Sequence, residues 1–128
     1  MMFTIIFPVL NERLRLENGV TRTVEYLRSI AFEDYEIIIV DNGSEDETPQ
    51  IAEKLCKKYD KVRYERINVR GVGAAFRRGV EVSHGDVVGY MDIDLSTNIR
   101  HLGEAIHLFE TQPEVQYING SRFARESD

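Results

Sequence analysis

The sequence has no tryptophan and only one cysteine, Cys56, in 128 residues. One thiol cannot close an internal disulfide, and no C-x-x-C pair or His/Cys zinc spacing is present, so a reducing, cytoplasmic setting is the expectation. No block of basic residues occurs: 16 Lys and Arg stand against 22 Asp and Glu, a net charge of −6. That balance argues against a dedicated nucleic-acid binder, whose affinity rests on phosphate neutralisation. No apolar run approaches the roughly 20 residues of a membrane-spanning helix. The opening residues 1–9 lack a basic n-region and contain Pro8, so they read as a core strand rather than a signal peptide. Internal repeats, low-complexity segments and linkers are absent too. What is present is 42% hydrophobic and 30% charged sequence, the balance of a globular chain and one domain's worth, 1–128.

Elements alternate along that chain. Phe3–Phe7 is a short apolar run closed by Pro8 and reads as a buried strand. Residues 11–19 read as a charged loop, with Asn18 as N-cap of a helix whose apolar positions are Val20, Val24, Leu27 and Ile30. Glu36–Val40 is a second strand, β-branched on both faces as in a parallel sheet covered on each side. Thr48-Pro49 starts a helix with inner face Ile51, Ala52, Leu55 and Tyr59, and Cys56 reads as a buried apolar residue there. Val62–Ile67 is a weaker, more polar strand nearer an edge. A Gly-interrupted helix follows over Gly71–Ser83, then a strand over Asp86–Met91. A helix marked by Ile99, Leu102, Ile106 and Phe109 precedes a last strand at Val115–Ile118. The β-α-β-α order predicts a mostly parallel, doubly wound α/β sheet with right-handed crossovers.

In such sheets ligands bind beyond the carboxyl ends of the strands. The residues expected there are Asn11 and Glu12, Asp41 and Asn42, Arg70 and Gly71, Asp92 and Asp94, and Gly120 and Arg122; the opposite edge shows nothing comparable. Asp92 and Asp94 form the sharpest pair. In extended backbone their side chains share one side while Ile93 points away. Held about 4 Å apart, they would repel by about 4 kcal/mol at an effective dielectric of 20. Mg²⁺ or Mn²⁺ would remove that repulsion and leave positions open for substrate phosphates. The competing reading makes Asp94 a helix cap and Asp92 a strand end.

Asp41-Asn-Gly-Ser44 reads either as a turn or as a place where Asp41 accepts hydrogen bonds from a base or ribose. Glu12 reads equally as an exposed loop acid. The Gly71-x-Gly73 run does not follow the first strand and lacks Gly at the sixth position, which rejects a nicotinamide-binding fingerprint. Its small residues still allow backbone to approach a phosphate at a helix N-terminus. Arg77 and Arg78 read as surface, and the histidines 84, 101 and 107 have no assigned role.

Taken in order, Phe7-Pro-Val-Leu-Asn-Glu12, Ile38-Ile-Val-Asp-Asn-Gly-Ser-Glu-Asp-Glu-Thr48, Arg70-Gly-Val-Gly-Ala-Ala-Phe-Arg-Arg-Gly79, Gly85-Asp-Val-Val-Gly-Tyr-Met-Asp-Ile-Asp-Leu-Ser96 and Gly120-Ser-Arg122 resemble the motif series of family 2 glycosyltransferases of the GT-A fold. The spacing is most similar to the polyprenyl- and dolichyl-phosphate sugar synthases. The resemblance implies that Pro8, Leu10, Glu12 and Asp41 hold the nucleoside of a UDP- or GDP-sugar. It also places the loop of Arg70, Gly71 and Gly73 by the nucleotide, and Asp92 and Asp94 on a metal bound to the diphosphate. Three positions depart from the pattern: Asn42, Val72 and Ser96 stand where relatives often have Asp, Lys and Gln.

The chain reads as the N-terminal, donor-binding part of a catalytic domain that runs on for roughly another hundred residues. The implied reaction moves a sugar to an acceptor, with a lipid phosphate preferred: its oxygen is already anionic, and no general base for a hydroxyl acceptor is found. Arg122 is expected to pair with a phosphate through bidentate hydrogen bonds. The expected location is the cytoplasm, at the cytoplasmic face of a membrane, and uncovered sheet near Val115–Ile118 favours a homo-oligomer. The alternatives are a donor-binding or regulatory half-domain without turnover, a phosphoacceptor signalling domain and a nucleotidyltransferase.

Overall fold

The computed structural model describes residues 1–95, 99–112 and 123–125. Its elements are β1 (Phe3–Val9), α1 (Leu16–Ser29), β2 (Tyr35–Asp41), α2 (Thr48–Lys58), β3 (Val62–Arg66), α3 (Val72–Val82), β4 (Val87–Tyr90), α4 (Arg100–Thr111) and β5 (Phe123–Arg125). The strands form one sheet in the order β3-β2-β1-β4-β5. The first four run parallel, and β5 pairs antiparallel with β4, Gly89 opposite Phe123. The edge placement of β3 and the mostly parallel, two-faced architecture are as expected.

The pleat sorts the core. Phe3, Ile5, Phe7 and Val9 of β1 join Ile37 and Ile39 of β2 under Leu16, Val20, Val24 and Leu27 of α1, with Leu55 of α2 and Phe109 of α4 on the same side. Ile6, Ile38, Val40 and Val88 form the other face, under Ala75 of α3. All seven residues of β2 are buried. Each fully buried Ile, Leu or Phe contributes about 1.5–3 kcal/mol of transfer free energy, so the central strands anchor everything that projects beyond them.

The end of β1 and the start of α1 differ from the sequence expectation. Strand β1 continues through Pro8 to Val9. The Ile6 carbonyl accepts from Met91 N–H and the Val9 carbonyl from Asn42 N–H, so alternation turns Pro8 toward β4. That strand has already ended at Tyr90, and the missing proline N–H removes no ladder bond. Helix α1 begins at Leu16 rather than near Val20, and Asn18 lies inside it instead of capping it. The reason is a turn in which the Glu12 carbonyl accepts from Arg15 and Leu16 N–H, with Leu16 wholly buried behind it. The expected strand Val115–Ile118 lies outside the described residues, as do Ser96 and Gly120–Arg122.

Candidate functional site

The strand order turns back between β1 and β4, the switch point at which open α/β sheets hold ligands. A cleft of about 300 Å³ sits there, lined by Pro8, Val9 and Leu10 from the end of β1, Glu12 from the following loop, Asn42 after β2, Gly71 and Val72 at the start of α3, and Asp92, Ile93 and Asp94 after β4. A larger, shallower hollow of about 850 Å³ runs along α1 and α4, lined by Tyr26, Phe32, His101 and His107 among others. It is built from helix flanks, and strand-end acids do not reach it.

Asp92 and Asp94 reach the cleft through a turn, not through extended backbone as expected. Leu95 N–H donates to the Asp92 carbonyl at 2.9 Å, closing a reversal in which Leu95 takes φ +56°. Ile93, 3% exposed, pins that turn into the core. Gly19 of α1 lies directly under it: a Cβ on Gly19 would sit 2.3 Å from the Ile93 carbonyl oxygen. The close approach of helix and turn therefore depends on glycine at this position.

Glu12 is held at three points. Its N–H donates to Thr48 Oγ1 at 2.9 Å, its carbonyl starts α1, and its carboxylate accepts from Arg15 Nε at 2.7 Å. The Arg15 guanidinium is pushed above its ordinary pKa by that hydrogen bond and by the charge of Glu12, with Asp94 adding to the effect. One cation thus stands among the cleft's acids. The neighbouring loop is cross-braced in the same way: Asn11 N–H donates to Ser44 Oγ and Glu45 N–H to Asn11 Oδ1, each at 2.8 Å.

Asp41 is placed differently. It is completely buried and does not line the cleft. Its Oδ1 accepts from Gly43 and Ser44 N–H at 3.0 and 2.7 Å, and its Oδ2 from the Tyr64 hydroxyl at 2.6 Å and Arg66 Nη1 at 3.3 Å. Burial, and next the bond to Asp41, push the Tyr64 hydroxyl up to about 12, so it remains a donor across the physiological range. Asn42, 6% exposed, donates from its side-chain nitrogen to the carbonyls of Val69 and Gly71, both at 3.0 Å.

Of the residues named from sequence, Pro8, Leu10, Glu12, Gly71, Asp92 and Asp94 meet in one cleft. Arg70 and Gly73 are exposed on the adjoining loop and first turn of α3, outside the lining. Arg122 lies outside the described residues. Asn42 joins the lining without having been assigned a role; its two tethers go to residues far along the chain, and no local pattern announces them. Among the described residues no three His, Cys, Asp or Glu side chains converge as a metal cage. Two carboxylates facing a cleft fit Mg²⁺ or Mn²⁺ in the mode where substrate phosphates supply further ligands.

A mostly parallel α/β sheet with an acidic cleft at its switch point is the architecture of the GT-A fold. The family model described as glycosyl transferase family 2 matches residues 4–127, and the chain belongs to that family. It is 37% identical over 122 residues to the glycosyltransferase AglD of Haloferax volcanii, covering 94% of this chain and 19% of that protein. The dolichyl-phosphate beta-glucosyltransferase of Mus musculus is 35% identical over 136 residues, covering 98% and 42%. The dolichol-phosphate mannosyltransferase of Pyrococcus furiosus is 30% identical over 125 residues, covering 98% and 34%. Among solved structures, the mannosyltransferase PcManGT from Pyrobaculum calidifontis, in complex with GDP-Man and Mn²⁺, superposes with a TM-score of 0.73 at 23% identity, over 89% of this chain and 33% of that one. The chain therefore spans less than half the length of these relatives. No helix among the described residues is long and apolar enough to cross a membrane.

Proposed function

We propose that residues 1–128 form one nucleotide-sugar-binding unit of a glycosyltransferase that moves a sugar from a UDP- or GDP-sugar to a polyprenyl phosphate. The carrying observation is the single cleft at the β1/β4 switch point into which Pro8, Leu10, Glu12, Gly71, Asp92 and Asp94 converge. Family membership supports the reaction class, and relatives named for dolichyl phosphate support the acceptor.

In this reading Pro8, Leu10 and Glu12 line the nucleoside end. Asp41 acts from behind, through the loop it organises; a direct contact with base or ribose would require it to release Tyr64 or Arg66. The Arg70–Gly73 segment borders the phosphates at the N-terminus of α3, where backbone N–H groups favour anions. Asp92 and Asp94 would hold a divalent cation, which when bound neutralises charge on the departing nucleoside diphosphate. Arg122 is assigned to a phosphate of donor or acceptor. An acceptor phosphate oxygen attacks the anomeric carbon; the bond from that carbon to the diphosphate oxygen breaks, and its electron pair leaves with the nucleoside diphosphate. An anionic acceptor needs no proton removed, so no general base is required. A lipid acceptor puts this unit at the cytoplasmic face of a membrane.

Calorimetry with UDP and GDP, with Mn²⁺ and with chelator, tests the reading. One nucleotide binds only with metal, and at a hundredfold excess over Kd it stabilises the fold by about 2.7 kcal/mol. Failure of every nucleoside diphosphate to bind in the presence of metal refutes it.

A further inference from the structure

We propose that Asn42 is a positioning residue: its side-chain amide ties the 69–71 loop to the carboxyl end of β2 and so fixes one wall of the cleft and the start of α3. A primary amide nitrogen carries two N–H donors, and here both are used, on the carbonyls of Val69 and Gly71 at 3.0 Å each. The Gly71 carbonyl also accepts from Ala75 N–H at 3.2 Å, the bond that opens α3. One side chain therefore holds the same carbonyl that starts the helix.

Apolar burial does not hold this loop in place. Val69 is 63% exposed and Val72 54%. Strand pairing stops at Ile67, whose N–H donates to the Asp41 carbonyl. Gly71 takes φ +117°, and a Cβ added to it would meet nothing within 4 Å, so glycine is needed there for backbone conformation and not for space. A segment with exposed side chains and a left-handed residue is held by polar ties, and the buried amide of Asn42 supplies two. In this chain the amide matches its two carbonyl partners with two donors, whereas a carboxylate would face them with acceptors.

The functional half of this inference rests on the donor reading above, and the experiment separates the two. Asn42→Asp is compared with the unaltered chain by hydrogen exchange over residues 67–75, without nucleotide, and by calorimetry with UDP and GDP plus Mn²⁺. Exchange in the loop rises, and affinity for the bound nucleotide falls about thirtyfold, equivalent to about 2 kcal/mol. Lowering the pH toward protonation of the new carboxyl restores one donor, so loop protection partly recovers in Asn42→Asp, a pH profile the unaltered chain lacks. Should Asn42→Asp not fold, Asn42→Ser, which keeps one hydroxyl donor, shows the same changes in smaller measure. Unchanged loop exchange in the variant overturns the tie, and raised exchange with unchanged affinity overturns its role in the cleft. If the unaltered chain binds no nucleotide while exchange still rises, the tie stands and the donor reading falls.

Discussion

Strand β2 carries one buried acid near each end, Glu36 at 5% exposure and Asp41 at 0%, and the two ends of the sheet use them differently. At the amino end, Glu36 accepts from the Thr4 hydroxyl at 2.7 Å, from His84 N–H at 2.5 Å and from Arg63 at 2.9 Å, while Arg63 also donates to the Val82 carbonyl at the end of α3. That cluster closes on itself and staples α3 to the sheet. At the carboxyl end, Asp41 likewise spends its oxygens on internal partners, yet the loops it organises stop short of closing. Asn42, Glu12, Asp92 and Asp94 are left lining an open cleft. Similar residue types thus close a cluster at one end of the sheet and line a cleft at the other.

Four substitutions would break or sharpen this contrast. Asp94→Asn has the largest expected effect: metal-dependent nucleotide affinity falls at least about a hundredfold, while thermal stability stays nearly level. A melting curve showing a marked loss of stability would make Asp94 a structural residue like Glu36. Gly19→Ala comes next. Its methyl has no room against the Ile93 carbonyl, and overpacking costs about 2 kcal/mol; urea titration reads that loss, and displacement of the Asp92–Asp94 turn weakens metal binding in parallel.

Glu36→Gln sharpens the comparison from the other end, with a loss of about 1–2 kcal/mol and no change in nucleotide affinity. Burial alone would raise the Glu36 carboxyl, but hydrogen bonds from His84, Thr4 and Arg63 outweigh it and hold the group below its usual 4.5. The sign follows: the folded state binds a proton less readily than the unfolded one, so this contribution is full above pH 4.5 and is lost as pH falls through the lowered folded value. Stability measured from about pH 6 to about pH 3 should fall less steeply in Glu36→Gln. The smallest effect belongs to Tyr64→Phe, which removes one donor from Asp41 and costs about 1 kcal/mol. A chemical-denaturation midpoint identical to that of the unaltered chain would show that Arg66 and the loop amides suffice for Asp41.

The contrast between the two ends also marks where sequence reasoning succeeds. Apolar runs such as Ile37–Val40 and the Thr48-Pro49 helix start are local signals, and their elements stand where the pattern puts them. The cleft acids are legible because strands of a parallel sheet deliver their following residues to one edge. The amino-end cluster is not, since Thr4, Glu36, Arg63 and His84 come from four separate segments and none is unusual alone. Asp41 illustrates both cases: its turn is written in the following Asn-Gly, but its capture by Tyr64 and Arg66 depends on the β2–β3 register. The Asp92–Asp94 turn looks extended in sequence because what bends it, the burial of Ile93 over Gly19, is a contact across 74 residues of chain, from position 19 to position 93.

Asn42 is followed by Gly43, the pairing in which the next backbone nitrogen most readily attacks a side-chain amide to form a succinimide and expel ammonia. In the folded chain that nitrogen's N–H is bonded to Asp41, and the amide is bonded to Val69 and Gly71. Ageing at this site is therefore gated by loop opening. The succinimide hydrolyses to aspartate or isoaspartate, neither of which keeps the amide donors, so each molecule that ages loses the tie that had protected it. Chemical lifetime at Asn42, followed by mass spectrometry of stored protein, becomes a slow clock of how often the loop lets go.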